Sequence, residues 1–298
     1  MIINNFNKKT NNPVVICLGG FDSIHRGHKK IILRANEIKL KYNASVCVFT
    51  FDEFPATLYG KEKGVVFTYE ERIKRFSSLP VDELCVASFT REFASLSPEQ
   101  FLYELFDNRH IAALLCGNDY TFGKNAIGNI GYLTEYCNGK NITLDIVDYA
   151  RDCNGNKIST SSIKALLRAG DIKSVNYLLG DEYFVSGEVV YGRQVGRKLG
   201  FPTANIKCAK DKLLIKEGVY ATHVVIDGVR YNAITNVGCA PTFAVEQFSI
   251  ETYIDGFSGN LYGLVLSVYF DDYIREIKQF HTVDELKKQL QEDLKVIK

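Results

Sequence analysis

The strongest constraint on the fold is a change of rhythm near residue 158. Before it, short apolar runs alternate with segments whose apolar residues recur at helical spacing. "PVVICLGGF" (13–21) is almost uninterruptedly apolar, as a strand buried on both faces must be. "ASVCVFTF", "DELCVASF", "IAALLCG" and "ITLDIVDY" read as four further strands. Between them, "RGHKKIILRANEIKLKY" has helical spacing, and "TYEERIKRFSSL" opens with a Thr68/Glu71 capping box. "SPEQFLYELFDN" places Pro in its first turn. Such alternation predicts a parallel, doubly wound sheet. "STSSIKALLRAGDIKSVNYLLG" then reads as two short helices.

From residue 183 the runs "YFVSGEVVYG", "GVYATHVVI", "VRYNAITNVG", "FSIETYID" and "YGLVLSVYF" are rich in Val, Ile, Tyr and Thr. "IDGV" and "FSGN" read as tight turns. Strands in close succession imply a barrel or sandwich. "TVDELKKQLQEDLKVI" closes the chain as a capped amphipathic helix, apolar at 283, 286, 290 and 294. The expected domains are 1–182 and 183–298, a size two ordinary domains can fill.

Composition excludes several classes. A net charge of +1 over 298 residues argues against a general polyanion or nucleic-acid binder. It leaves room for small anionic substrates, which need a local positive site. No signal-like segment and no long apolar span is apparent, so a cytoplasmic location without a membrane partner is expected. The eight cysteines are scattered, most in apolar runs and none in a CxxC pair. Buried reduced thiols are expected rather than disulfides or a zinc site.

"LGGFDSIHRGH" lies at the carboxyl end of the first strand, where open parallel sheets bind ligands. Gly19 and Gly20 permit close backbone approach, and the following helix start offers N–H groups and partial positive charge. His25 and His28 beside that helix start are placed to hydrogen-bond phosphate oxygens and developing charge. A metal site or a solvated loop is the alternative, although no third ligand is evident.

In the second half, Gly192, Gly196 and Gly200 with Arg193 and Arg197 form a cationic glycine loop suited to phosphate. Thr203 and Asn205, two apart, would share a side if the backbone there is extended. Their oxygens could hold a hard cation such as Mg2+. The loop is not a P-loop, because no GK[ST] follows the glycines.

These motifs together resemble the bifunctional riboflavin kinase/FMN adenylyltransferase family of bacteria, also called FAD synthetase. Gly19, Phe21, Asp22, His25, Gly27 and His28 match its HxGH segment, with Ser23 at a usual Gly. "GNDYTFGKNAIGN" (117–129), "ISTSSIK" (158–164), "GRQVGRKLGFPTAN" (192–205) and "NVGCAPTF" (236–243) follow in the family's order. The resemblance implies a Rossmann-like nucleotidyltransferase domain followed by an antiparallel β-barrel with a C-terminal helix.

It implies ATP-dependent conversion of riboflavin to FMN, then of FMN to FAD, with Mg2+. His25, His28 and Glu251 are the implied catalytic residues, Glu251 standing eleven residues before Tyr262 as in the family. Gly19, Gly20, Phe21, Asp22, Asp119, Ser159, Thr160, Ser161, Lys164, Gly192, Arg193, Gly196, Arg197, Gly200 and Pro202 would contact nucleotide or phosphate. Asn118, Phe122, Arg275 and Phe280 would contact flavin, and Thr203 and Asn205 the metal.

The chain departs from the pattern at Ser162 and Lys164, where Arg is usual, at Phe54, where His is usual, and at Ile277, where Glu is usual. The implied partners are small molecules, and a monomer is compatible with the sequence. A kinase with a weakened adenylyltransferase site and a catalytically silent flavin-binding regulator are the rival readings. A fragment of an aminoacyl-tRNA synthetase, which shares HxGH, lacks its KMSKS-like segment and does not fit the β-rich half.

Overall fold

A computed structural model of the chain describes residues 1–54, 64–192, 201–242, 245–280 and 282–297, with backbone alone for 239–242, 245–248, 283 and 286. The chain divides into two compact units, Met1–Thr160 and Ser161–Lys298. The division falls earlier than the expected boundary at 182. The two short helices Thr160–Ala169 and Ile172–Leu179 are the reason: the second packs on barrel strands, and its Asn176 Nδ2 donates to the Phe270 carbonyl at 2.9 Å.

The first unit is a six-stranded sheet built from β1 (Ile2–Asn5), β2 (Thr10–Leu18), β3 (Ser45–Phe51), β4 (Glu83–Ala87), β5 (Arg109–Gly117) and β6 (Thr143–Val147). Its order is β1-β4-β3-β2-β5-β6, and every neighbouring pair is parallel. β1 was not expected, because "IINN" is short, mostly exposed and has no apolar run to mark it.

Alternate residues of the central strands enter two separate cores. Val14, Ile16 and Leu18 face Phe101, Leu102 and Leu105, whereas Val15 and Cys17 face Ile31, Ile32 and Ala35. Burial on both faces is why these strands read as unbroken apolar runs. Helix α1 (Arg26–Tyr42) has the predicted bounds, and α2 (Tyr69–Ser77) carries the predicted Thr68/Glu71 capping box. Five cysteines are buried as expected, but Cys153 is exposed and Cys208 half-buried.

The second unit closes a six-stranded antiparallel barrel, in the order β10-β11-β8-β7-β12-β9. The strands are β7 (Tyr183–Val190), β8 (Thr203–Lys207), β9 (Gly218–Ile226), β10 (Val229–Thr242), β11 (Val245–Ile254) and β12 (Val265–Arg275). Asp227 and Gly228, with φ of 51° and 80°, make the predicted two-residue hairpin between β9 and β10. "FSGN" is not a hairpin turn. The strands on either side of it, β11 and β12, pair with other neighbours, so closure of the barrel decides its path. Inside the barrel, Thr222, Thr235 and Thr252 are linked hydroxyl to hydroxyl at 2.8 and 2.9 Å.

The C-terminal helix α3 (Val283–Val296) is capped by Thr282, whose Oγ1 accepts from Glu285 N. The side chains of Val283 and Leu286 lie outside the described residues, as do Arg193, Gly196, Arg197, Gly200 and Phe243.

Candidate active sites

The segment between β2 and α1 is tightly turned. Phe21 and Ile24, both buried, hold φ of 56° and 45°. Non-glycine residues adopt this left-handed region only where surrounding structure over-determines them. Three fastenings do so here. Thr50 Oγ1 donates to the Gly20 carbonyl at 2.7 Å, Val66 N donates to Asp22 Oδ1 at 2.8 Å, and Ser23 Oγ bonds Thr160 Oγ1 at 2.9 Å. Phe21 therefore packs into the core and Asp22 anchors the backbone of Val66, rather than lining the cavity as sequence suggested. Gly27 is required sterically: a Cβ there would lie 2.9 Å from the His25 ring.

His25 is the N-cap of α1, and its Nδ1 accepts from the backbone N–H groups of Gly27 and His28. Two of the helix N–H groups expected to face phosphate are thus taken by His25 itself. Because Nδ1 is an acceptor, the single proton of neutral His25 sits on Nε2. His28 stacks on His25, with ring centroids 3.8 Å apart and planes 14° from parallel. Burial lowers the His25 pKa to about 4. Burial, and then the neighbouring His25, hold His28 well below the ordinary value. Both imidazoles are neutral donors near pH 7.

A cavity of about 950 Å3 opens over this turn. Gly19, Gly20, His25 and His28 line it together with Asp119, Phe122, Ser159 and Thr160. The HxGH, "GNDYTFG" and "IST" segments, far apart in sequence, therefore meet at one space. Asn118 is not among the lining residues; its Nδ2 reaches Asp148 Oδ1 at 3.4 Å. Ser161 and Lys164 belong to the second unit, on the helix that begins at Thr160.

Sequence reasoning missed two features. Lys157 lines the cavity and pairs with Asp119. Phe51, Phe89 and Phe93 form an aromatic wall, with neighbouring ring centroids 5.2–5.9 Å apart. The lysine directly before "IST" was a readable signal; the wall was not, because its members come from separate segments.

On the barrel, Glu251 of β11 stands in register with Asn205 of β8 and Asn236 of β10. Thr203 pairs with Tyr253 on the same two strands. Ile250, Thr252 and Ile254 point inward and are buried, so the alternating Glu251 and Tyr253 face outward with Thr203 and Asn205. Gly192 lies against the Asn205 amide, which an added Cβ would overlap. Pro202 is exposed just before β8. Tyr262 stacks on Tyr191 with centroids 3.9 Å apart.

Arg275 makes a bidentate pair with the buried Asp293 of α3, at 2.9 and 2.7 Å, which ties the helix to β12. Its guanidinium is thus engaged in docking α3. Phe280 is half-buried beyond β12, and Ile277 lies beside Gly238.

Comparison with known proteins follows the same division. Residues 7–162 match the FAD synthetase family model, and residues 179–298 match the riboflavin kinase family model. A bifunctional riboflavin kinase/FMN adenylyltransferase of Bacillus subtilis is 33% identical over 285 residues, covering 94% of this chain and 90% of the relative. Its counterpart in Listeria monocytogenes is 32% identical over 283 residues, with the same coverage. A crystal structure described as a macrolide-efflux protein from Streptococcus pneumoniae is 30% identical, with a TM-score of 0.89 over 100% of this chain and 99% of the other. No described helix of this chain is long and apolar enough to cross a membrane. With both family models matched and the relatives aligned almost end to end, the chain belongs to the bifunctional riboflavin kinase/FMN adenylyltransferase family.

Proposed function

We propose that this chain makes flavin cofactors in the cytoplasm by two ATP-dependent steps: riboflavin is phosphorylated to FMN, and FMN is adenylylated to FAD. The functional halves are 1–182 for adenylyl transfer and 183–298 for the kinase. The carrying observation is the convergence of His25, His28, Asp119, Lys157, Ser159 and Thr160 on one cavity, in a chain whose barrel aligns Glu251 with Asn205.

In adenylyl transfer, an oxygen of the FMN phosphate attacks the α-phosphorus of ATP, and the bond to the β-phosphate breaks to release pyrophosphate. The nucleophile is already an anion, so the protein positions the reactants and stabilises charge. His25 donates from Nε2, and His28 supplies a second neutral imidazole beside it. Lys157 contributes the positive charge, with Asp119 orienting it. Ser159 and Thr160 bind phosphate oxygens, and the phenylalanine wall takes apolar parts of the substrates.

In the kinase step, Glu251 accepts the proton of the riboflavin 5′-hydroxyl as the γ-phosphoryl group transfers and ADP leaves. Thr203 and Asn205 present oxygen donors on one strand face, a donor set that fits Mg2+ shared with ATP phosphates. Bound there, the ion would neutralise phosphate charge. Gly192, with Arg193, Gly196, Arg197 and Gly200, completes the phosphate loop.

The test is incubation with riboflavin, ATP and Mg2+, with flavins and nucleotides resolved by chromatography. FAD together with ADP and pyrophosphate is expected. A halt at FMN with ADP alone would remove the adenylyltransferase half. Flavin retained without turnover would favour a binding protein.

A further inference from the structure

The glycine turn beneath the first cavity is held from below by a buried cation that no motif contains. Arg72, in α2, is 2% exposed. Its Nη1 donates to Thr50 Oγ1 at 3.0 Å, and its Nη2 donates to the Asp52 carbonyl at 2.9 Å. An arginine can only donate, so the Thr50 hydroxyl must accept here. Its own hydrogen is thereby free to go to one place in reach, the Gly20 carbonyl at 2.7 Å. The relay has a fixed direction: Arg72 to Thr50 to Gly20.

A second path from the same side chain ends on the same glycine. The Arg72 guanidinium lies 4.5 Å from the centroid of the Phe54 ring. That ring comes to 3.4 Å from where a Cβ on Gly20 would stand. The Phe54 ring is therefore the lid of this support. Just beyond Gly20 come the left-handed Phe21 and Ile24, and then His25 at the head of α1. A turn with two such residues keeps one shape only while its neighbours over-determine it.

We infer that Arg72 is the positioning residue of the first site, acting through Thr50 and Phe54 to hold the Gly19–Gly20 backbone and the following histidines in register with the nucleotide phosphates. The inference rests on the adenylyl-transfer reading for its kinetic consequence, but not for its structural one.

The test compares Thr50→Val, Arg72→Met and the double variant in the full-length chain. Thr50→Val keeps a β-branched residue in β3 and removes only the relay hydroxyl, so it bears on the proposal even if Arg72→Met folds poorly. Amide hydrogen exchange of the peptide covering residues 18–28 is read first, without substrate. We expect at least tenfold faster exchange in that peptide for Thr50→Val and for Arg72→Met. In kinetics, each variant raises the ATP KM of FMN adenylylation about tenfold with a smaller loss in kcat. The double variant is little worse than Arg72→Met, since Thr50 acts only on the path that Arg72→Met has already broken. Riboflavin phosphorylation by the same samples stays at the wild-type rate. Unchanged exchange in the turn for Thr50→Val would overturn the inference, as would losses that multiply in the double variant. Wild-type protein that never converts FMN to FAD would instead overturn the functional reading, and the exchange data would still decide the role of Arg72.

Discussion

His25 shows how one side chain can serve a fold and a reaction together. Its Nδ1 closes the first turn of α1, which leaves Nε2 as the proton-bearing edge. Capping and burial work against protonation together, since a proton on Nδ1 would break the cap. The folded pKa of about 4 lies below the ordinary value of 6.5. Between those values the unfolded chain holds the extra proton, so stability is full above about 6.5 and falls as pH drops toward 4. The expected observation is an imidazole NMR signal, assigned by its loss in His25→Asn, that does not move between pH 8 and pH 5.5. A midpoint near 6.5 would mean that the ring is solvated and the cap open.

The elements of the barrel carry two further expectations. Thr235 lies between Thr222 and Thr252 in the buried hydroxyl chain that crosses β9, β10 and β11. Thr235→Val keeps the shape but strands both neighbours, at a cost of about 1–3 kcal/mol. Urea denaturation followed by tyrosine fluorescence measures it, and a midpoint equal to wild type would show that the chain adds nothing. The Arg275–Asp293 pair fastens α3 to β12, and Asp293 is 2% exposed. Asp293→Ala leaves a partly buried guanidinium without its carboxylate and should cost about 3 kcal/mol. Thermal unfolding tests it. A lowered midpoint with an unchanged riboflavin KM is expected, because this arginine is spent on docking a helix.

At the scale of the molecule, His25, His28, Asp119, Lys157, Ser159 and Thr160, proposed for adenylyl transfer, lie in the first unit, and Thr203, Asn205 and Glu251, proposed for the kinase step, in the second. Glu251→Gln should therefore abolish formation of FMN from riboflavin while leaving conversion of added FMN to FAD at the wild-type rate, as chromatography of both reactions would show. Loss of both steps in a folded variant would contradict separate sites. Much of this architecture was legible in the residues themselves. Runs such as "VVICL" are apolar throughout because both faces of β2 are buried, and "IDGV" names a hairpin because Asp227 and Gly228 tolerate positive φ.

The short, mostly exposed edge strand β1 carried no such signal, and neither did the path of "FSGN", which closure of the barrel dictates. Local sequence determined most of the elements, their order and the motifs, since periodicity and capping act within a few residues. Only the tertiary structure decided that Phe21 and Asp22 support the turn, that Lys157 answers Asp119, and that Arg72 lies beneath Gly20. Those outcomes depend on which distant donors and acceptors are brought within 3 Å of each other, and chain spacing does not encode that distance.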